Sequence, residues 1–221
     1  MLQVNEIFET IQGEGFFTGV PSIFIRLQGC PVGCAWCDTK QTWEVQPDKQ
    51  TDFGTIIAKS GDSELWCQQS EASLVAYCLE NYTAKHVVIT GGEPCQYDLV
   101  PLTTLLEEKG YRCQIETSGT FDIQATPSTW VTVSPKIGMK GKLPIKAQPM
   151  TRANEVKHPV AKQSDIDDLE QLLVNHPVTD GVEILLQPIS QKPRATQLCI
   201  DTCIQKNWRL SIQTHKYLQI A

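Results

Sequence analysis

The sequence predicts an α/β fold with mostly parallel strands, on three observations. Short apolar, β-branched runs alternate with segments of helical period along the chain. Polar residues gather where the strands are predicted to end. The 221 residues, 41% apolar and 20% charged, are enough for one substantial core and short for two, so one domain over 1–221 is expected.

The first strand is read at Ser22–Leu27, a β-branched run that delivers the chain to a cysteine loop. Trp43–Gln69, with Gly54, Gly61 and several charges, reads as an insertion or a plain surface excursion. Ser70 is suited to cap a helix through about Asn81, with Leu74, Val75, Cys78 and Leu79 on one side. His86–Thr90 is a continuous strand-like run, and Leu99–Lys109 is the next helix, stopped by Gly110. Strands follow at Arg112–Glu116, Trp130–Ser134, Glu155–His158, Val182–Gln187 and Arg209–Gln213. Helices are predicted at Ser164–His176 and Ala195–Lys206, while the stretch after Pro135 is poor in helix signals. Helices between strands permit parallel pairing.

Net charge is -6 and no basic block occurs, which disfavours broad attraction to nucleic acid or an anionic membrane. Met1–Glu9 has no basic region followed by a long apolar run, and no later segment reaches membrane-spanning length. A cytoplasmic location is expected.

Three of the nine cysteines, Cys30, Cys34 and Cys37, stand in Gly29-Cys-Pro-Val-Gly-Cys-Ala-Trp-Cys-Asp38 with no second pair nearby. A structural zinc site normally takes four protein ligands. Three thiolates on a 4Fe-4S cubane leave one iron open to a small molecule, which suits chemistry better than structure. Cys67, Cys78, Cys95, Cys113, Cys199 and Cys203 are expected to be small buried residues; Cys199 and Cys203 share a helical face without a third ligand close by.

Polar segments end the predicted strands: Thr90-Gly-Gly-Glu-Pro94, Glu116-Thr-Ser-Gly119, Ser134-Pro-Lys136, Lys157-His158, Gln187-Pro-Ile-Ser190 and Gln213-Thr-His-Lys216. Catalytic groups collect at that rim in barrel and open α/β folds. Gly91-Gly92 allows close backbone approach, and Glu93 is placed to accept from an ammonium or to order the turn. His86 reads as structural, His158 as either site-facing or strand-terminating, and His176 as a helix end. Trp36 is suited to shield the cysteine loop, whereas Trp43, Trp66, Trp130 and Trp208 read as packing residues.

The cysteine triad with the Gly-Gly-Glu-Pro turn resembles the radical S-adenosylmethionine superfamily. Gln12-Gly-Glu-Gly15, Arg26, Gln28-Gly-Cys30, Cys37-Asp-Thr39, Thr90, Glu116-Thr-Ser-Gly119, Ser134-Pro-Lys136 and Gln213-Thr-His-Lys216 narrow the resemblance to the 7-carboxy-7-deazaguanine synthase family, almost end to end. That resemblance implies a partial, open (β/α)6-like barrel, a homodimer, and an external one-electron reductant such as flavodoxin or ferredoxin. It also implies ring contraction of 6-carboxy-5,6,7,8-tetrahydropterin to 7-carboxy-7-deazaguanine with loss of ammonia, in queuosine biosynthesis. S-adenosylmethionine is then regenerated rather than consumed.

Carried onto this chain, the resemblance makes Cys30, Cys34 and Cys37 ligands of a 4Fe-4S cluster and Thr39 a Mg2+ ligand. Without the resemblance, Thr39 would read as a turn or cap hydroxyl. S-adenosylmethionine is assigned to Gly91, Gly92 and Glu93, to Trp36, Cys37 and Asp38, to Ser134, Pro135 and Lys136, and to Gln187, Pro188, Ile189 and Ser190. The substrate is assigned to Gln12, Gly13, Glu14, Arg26, Thr90 and His215, with Arg26 on the carboxylate because guanidinium binds it bidentately. The alternatives are an activase that makes a glycyl radical on a partner protein, and a non-enzymatic zinc or electron-transfer module.

Overall fold

The computed structural model describes residues 1–220. Nine strands form one sheet. In chain order they are β1 (Leu2–Ile11), β2 (Pro21–Leu27), β3 (Cys67–Gln69), β4 (His86–Gly91), β5 (Arg112–Thr117), β6 (Trp130–Val133), β7 (Glu155–Val160), β8 (Glu183–Pro188) and β9 (Arg209–Leu210). The spatial order is β3-β1-β2-β4-β5-β6-β7-β8-β9. β1 pairs antiparallel with β2 and β3, and every pairing from β2 to β9 is parallel. This is the partial-barrel topology the resemblance implied.

The parallel strands are buried on both faces, which explains their unbroken apolar runs: Ile23, Ile25 and Leu27 in β2, Val87, Val88 and Ile89 in β4, and Val131 and Val133 in β6 are all inaccessible to solvent. Seven helices accompany the sheet: α1 (Phe53–Ala58), α2 (Glu71–Asn81), α3 (Val100–Glu108), α4 (Ala147–Arg152), α5 (Gln163–Asn175), α6 (Pro193–Lys206) and α7 (Thr214–Leu218). Ser70 caps α2, its hydroxyl accepting from the Ser73 N–H at 3.1 Å. Leu74, Val75 and Cys78 of α2 are buried, as are Leu102 and Leu106 of α3 and Ile166 and Leu169 of α5. Each such Leu or Ile contributes about 1.5–3 kcal/mol relative to exposure. The six cysteines outside the loop are buried, as expected.

The structure differs from the sequence reading in several places. β1 was not predicted because its period of two is broken: the register with β2 shifts between Val4 and Glu6, so the buried positions run Leu2, Val4, Asn5, Ile7. Asn5 is tolerated there because its amide donates to Gln28 Oε1 and to the Ser63 carbonyl, each at 2.9 Å. Leu79, placed on the apolar side of α2, is 44% exposed. The strand read at Arg209–Gln213 stops at Leu210, and Thr214 already begins α7. α4 lies in the stretch after Pro135 that lacks helix signals; it has no side-chain cap and carries Pro149. The segment 43–69 folds as α1 and β3, capped by Asp52 accepting from the Thr55 N–H and paired onto β1.

Two registers position the site. Arg26 pairs with Thr90 and Leu27 with Gly91, so the cysteine loop that follows β2 emerges beside the glycine turn that ends β4. Between β1 and β2 the chain doubles back, with the Gln12 N–H bonded to the Val20 carbonyl at 2.9 Å. Phe16 stacks on Trp130 and Phe17 packs on His86, both at the N-terminal ends of strands, which anchors this loop at one end of the sheet.

Candidate active site

A cavity of about 400 Å³ opens at the C-terminal ends of the parallel strands. The cysteine loop forms one wall. Its sharp path uses left-handed backbone at Gly29 and Gly33, with φ of +95° and +70°. It is fastened at its root by the Gly29 N–H to the Thr42 carbonyl at 2.7 Å and the Cys30 N–H to the Trp43 carbonyl at 2.9 Å. Cys30, Cys34 and Cys37 all line the cavity. Burial pushes the Cys30 thiol up to about 11 and raises that of Cys34 as well.

The three thiols fit a cubane better than a single ion. They border one cavity and offer three ligands, not the four a closed structural zinc site takes. A cubane takes one thiolate on each of three irons and leaves the fourth iron open.

The Gly-Gly-Glu-Pro turn is built for close backbone packing. A Cβ on Gly92 would meet the Gly29 carbonyl oxygen at 2.0 Å, and one on Gly91 would meet the Leu27 nitrogen at 2.2 Å. The Gly92 N–H donates to the Leu27 carbonyl and the Glu93 N–H to the Gly29 carbonyl, each at 2.8 Å. The glycines therefore bind the turn to the base of the cysteine loop. Of the two roles open to Glu93 in the sequence, ordering is the one its contacts favour: the carboxylate is 1% exposed and accepts from Thr117 Oγ1 at 2.7 Å, the Ser118 N–H at 2.8 Å, the Ser118 hydroxyl and the Cys95 N–H at 3.0 Å.

Opposite the cysteines lies a buried charge cluster. Lys157 Nζ is 2.7 Å from Glu14 Oε2 and 2.9 Å from Glu116 Oε2. Burial acts to raise Glu14, but the Lys157 charge and the bond from Gln213 Nε2 at 2.7 Å outweigh it and hold the carboxyl at about 2. For Glu116 burial wins and its carboxyl is raised. One ammonium shared between two carboxylates cannot hold both fully ionised at the same strength. Gln12 is 3% exposed and joins the cluster, its amide nitrogen 3.4 Å from Glu116 Oε1.

Arg26 enters the cavity from β2 with its Nε held by Glu6 Oε2 at 2.9 Å and its guanidinium 5.9 Å from the Phe8 ring centroid. Glu6 and Phe8 were not singled out in the sequence because β1 was not read as a strand. The C-terminal segment folds over Gly13: the Thr214 N–H and hydroxyl donate to the Gly13 carbonyl at 2.9 and 3.0 Å, and His215 stands where a Gly13 Cβ would go. Residues 201 apart in sequence thus share one wall.

Of the remaining predicted positions, Trp36, Asp38, Thr39, Thr90, Ser134, Lys136, Gln187, Ile189 and Ser190 line the cavity. Lys136 Nζ donates to Ser134 Oγ at 2.6 Å. Pro135 and Pro188 are buried and do not face it. His158 is buried, and burial together with Lys136 pushes it down to about 4, so it is neutral near pH 7. His86 is buried against Gln114 at 2.8 Å, in keeping with a structural role. Trp43, read as a packing residue, instead lines the cavity with its indole nitrogen 3.3 Å from Cys37 Sγ.

Comparison with known proteins gives concordant results. A family model described as a 4Fe-4S single cluster domain matches residues 11–130. The chain is 58% identical to 7-carboxy-7-deazaguanine synthase of Escherichia coli (strain K12) over 219 residues, covering 99% of this chain and 98% of that one. It is 50% identical to 7-carboxy-7-deazaguanine synthase of Buchnera aphidicola subsp. Schizaphis graminum over 218 residues, covering 98% of each. The crystal structure of QueE from Escherichia coli superposes with a TM-score of 0.93 at 57% identity, over 96% of this chain and 93% of that one.

Proposed function

The chain belongs to the 7-carboxy-7-deazaguanine synthase family of radical S-adenosylmethionine enzymes, and from that membership we propose how its own residues divide the work. It is a lyase that contracts the ring of 6-carboxy-5,6,7,8-tetrahydropterin to 7-carboxy-7-deazaguanine with release of ammonia. The observation that carries this reading is the single cavity in which three unpaired cysteines face a buried carboxylate cluster and Arg26. Neither a glycyl-radical activase nor a zinc module accounts for both walls.

Cys30, Cys34 and Cys37 hold the cluster. Held there in its reduced form, the cluster would supply the one electron that cleaves bound S-adenosylmethionine to methionine and a 5'-deoxyadenosyl radical. The cavity wall from Trp36 to Asp38, the turn Gly91-Gly92-Glu93, Ser134 and Lys136, and Gln187, Ile189 and Ser190 receive S-adenosylmethionine. Pro135 and Pro188 stiffen that wall from behind.

Arg26 clamps the substrate carboxylate. Glu6 occupies its Nε, which leaves the terminal amino groups directed by a fixed side chain for bidentate contact. Glu14, held ionised by Lys157, accepts from the N–H edge of the pterin, with Gln12, Gly13, Thr90 and His215 around it. A carboxylate and a guanidinium at fixed positions orient the substrate before hydrogen abstraction, which is where such an enzyme gains rate.

Thr39 supplies a hydroxyl ligand to Mg2+. The supporting observation is its place on the cavity wall beside Asp38. Mg2+ commonly reaches a protein through one or two ligands and takes the rest from substrate oxygens and water. The chain is further read as one domain with 43–69 inserted, a cytoplasmic homodimer served by an external one-electron donor. No helix among the described residues is long and apolar enough to cross a membrane.

The test is anaerobic reconstitution and reduction, followed by mass spectrometry with 6-carboxy-5,6,7,8-tetrahydropterin and S-adenosylmethionine. Product with S-adenosylmethionine conserved is the expected result. Cleavage of S-adenosylmethionine without product would keep the radical chemistry and discard the substrate.

A further inference from the structure

We propose that Trp43 is a positioning residue that sets the reduction potential of the cluster through a hydrogen bond from its indole N–H to Cys37 Sγ. The inference rests on Cys30, Cys34 and Cys37 being cluster ligands.

Trp43 touches two of the three ligand cysteines by different means. Its backbone carbonyl accepts from the Cys30 N–H at 2.9 Å, while its indole nitrogen lies 3.3 Å from Cys37 Sγ. The backbone position is fixed independently of the side chain by the turn bond from the Trp43 N–H to the Lys40 carbonyl at 3.2 Å and by the neighbouring Gly29 to Thr42 bond. A half-buried indole N–H needs an acceptor, and here that acceptor is sulfur. Cys37 is also reached by the Thr39 N–H at 3.4 Å, and the Thr39 hydroxyl stands 3.7 Å away. The Trp43 indole N–H and the Thr39 backbone N–H thus converge on Cys37 Sγ.

The physical consequence follows from charge. Reduction adds an electron that is partly carried by the sulfurs, so an N–H directed at a ligand sulfur stabilises the reduced form more than the oxidised form. Removing that N–H must lower the potential and make the cluster harder to reduce. Packing alone would affect cluster retention or stability without a specific bond to the paramagnetic centre.

The experiment is a potentiometric titration monitored by electron paramagnetic resonance on reconstituted wild type and Trp43→Phe, with iron and sulfide counted in both. The expected result is a retained cluster in the variant with a midpoint shifted to more negative potential. Wild type carrying 15N in its indole rings should also show a nitrogen coupling to the reduced cluster that is lost in Trp43→Phe. An unchanged midpoint with no such coupling overturns the inference while leaving the cluster assignment intact. If Trp43→Phe loses its cluster, the wild-type nitrogen coupling and a variant with benzothienylalanine at 43, which keeps the ring shape without the N–H, decide the matter. A wild type that binds no 4Fe-4S cluster would overturn the ligand reading and this inference together.

Discussion

Lys157 Nζ sits 2.7 Å from Glu14 Oε2, joining a residue near the start of the chain to one in β7 across 143 positions. Lys157 is buried; burial opposes its charge, but Glu116, Glu14 and Glu155 raise its pKa, so it stays an ammonium. Replacing it by Met leaves two mostly covered carboxylates, 20% and 17% exposed, without the ammonium they share. Removing one member of such a pair costs about 3–5 kcal/mol. Lys157→Met is therefore expected to lower the unfolding midpoint sharply and to weaken substrate binding, since Glu14 would take up a proton. Equilibrium unfolding and KM measured against pH check this; a variant with wild-type values in both would refute the role given to Lys157.

Glu155 carries a pH dependence of its own. It is fully buried, Oε2 accepts from the Phe16 N–H at 3.0 Å, and Oε1 has no hydrogen-bond partner. Burial pushes its carboxyl up to about 7 from 4.5, against the opposing effect of Lys157. The folded state then binds more protons than the unfolded state between those values, so this group's contribution to stability falls as pH rises from 4.5 to 7. The integrated loss is roughly 3 kcal/mol. Glu155→Gln should be more stable than wild type at pH 8 and lose that advantage below pH 5. Urea unfolding of both proteins at the two pH values measures it, and a constant difference would contradict the assignment.

Gly92→Ala tests the close contact between the glycine turn and the cysteine loop. The added carbon has no room beside the Gly29 carbonyl, which is backbone and cannot swing aside. The turn or the loop must move, at a cost on the order of 1–3 kcal/mol or more. Cluster content after reconstitution is expected to fall more than helical content by circular dichroism, because Cys30 follows Gly29 directly. Full iron loading in the variant would show that the loop does not depend on this contact.

Thr39→Ala removes the hydroxyl proposed as a Mg2+ ligand while leaving the backbone N–H bond at position 39 to Cys37 Sγ in place. Activity should drop and the stimulation by added Mg2+ should weaken or vanish, with cluster content preserved. An unchanged Mg2+ response would remove Thr39 as a ligand.

Much of the site was legible because it lies where local pattern is strong. Unbroken apolar runs in β2, β4 and β6 are what two-sided burial requires, and the polar residues just beyond them mark the rim without any knowledge of pairing. That Cys30, Cys34 and Cys37 share one loop was readable from spacing alone, since they fall within eight residues. β1 was hidden by its bulge at Asn5, and with it went Glu6 and Phe8, the neighbours that fix Arg26. Trp43 was misjudged for a related reason. A lone tryptophan after a turn carries no local mark of its acceptor, and only the return of the chain to Cys30 brings its N–H to Cys37.

The sequence by itself determined the α/β alternation, the cysteine loop, the glycine turn and the identity of most groups on the rim, because these depend on periodicity, spacing and residue type within short windows. The tertiary structure decided which charges share a counterion, which glycine is pressed against which carbonyl, and that the C-terminal segment closes over Gly13. Those relations join positions up to 201 apart, and their energies depend on burial and distance, which no local pattern encodes.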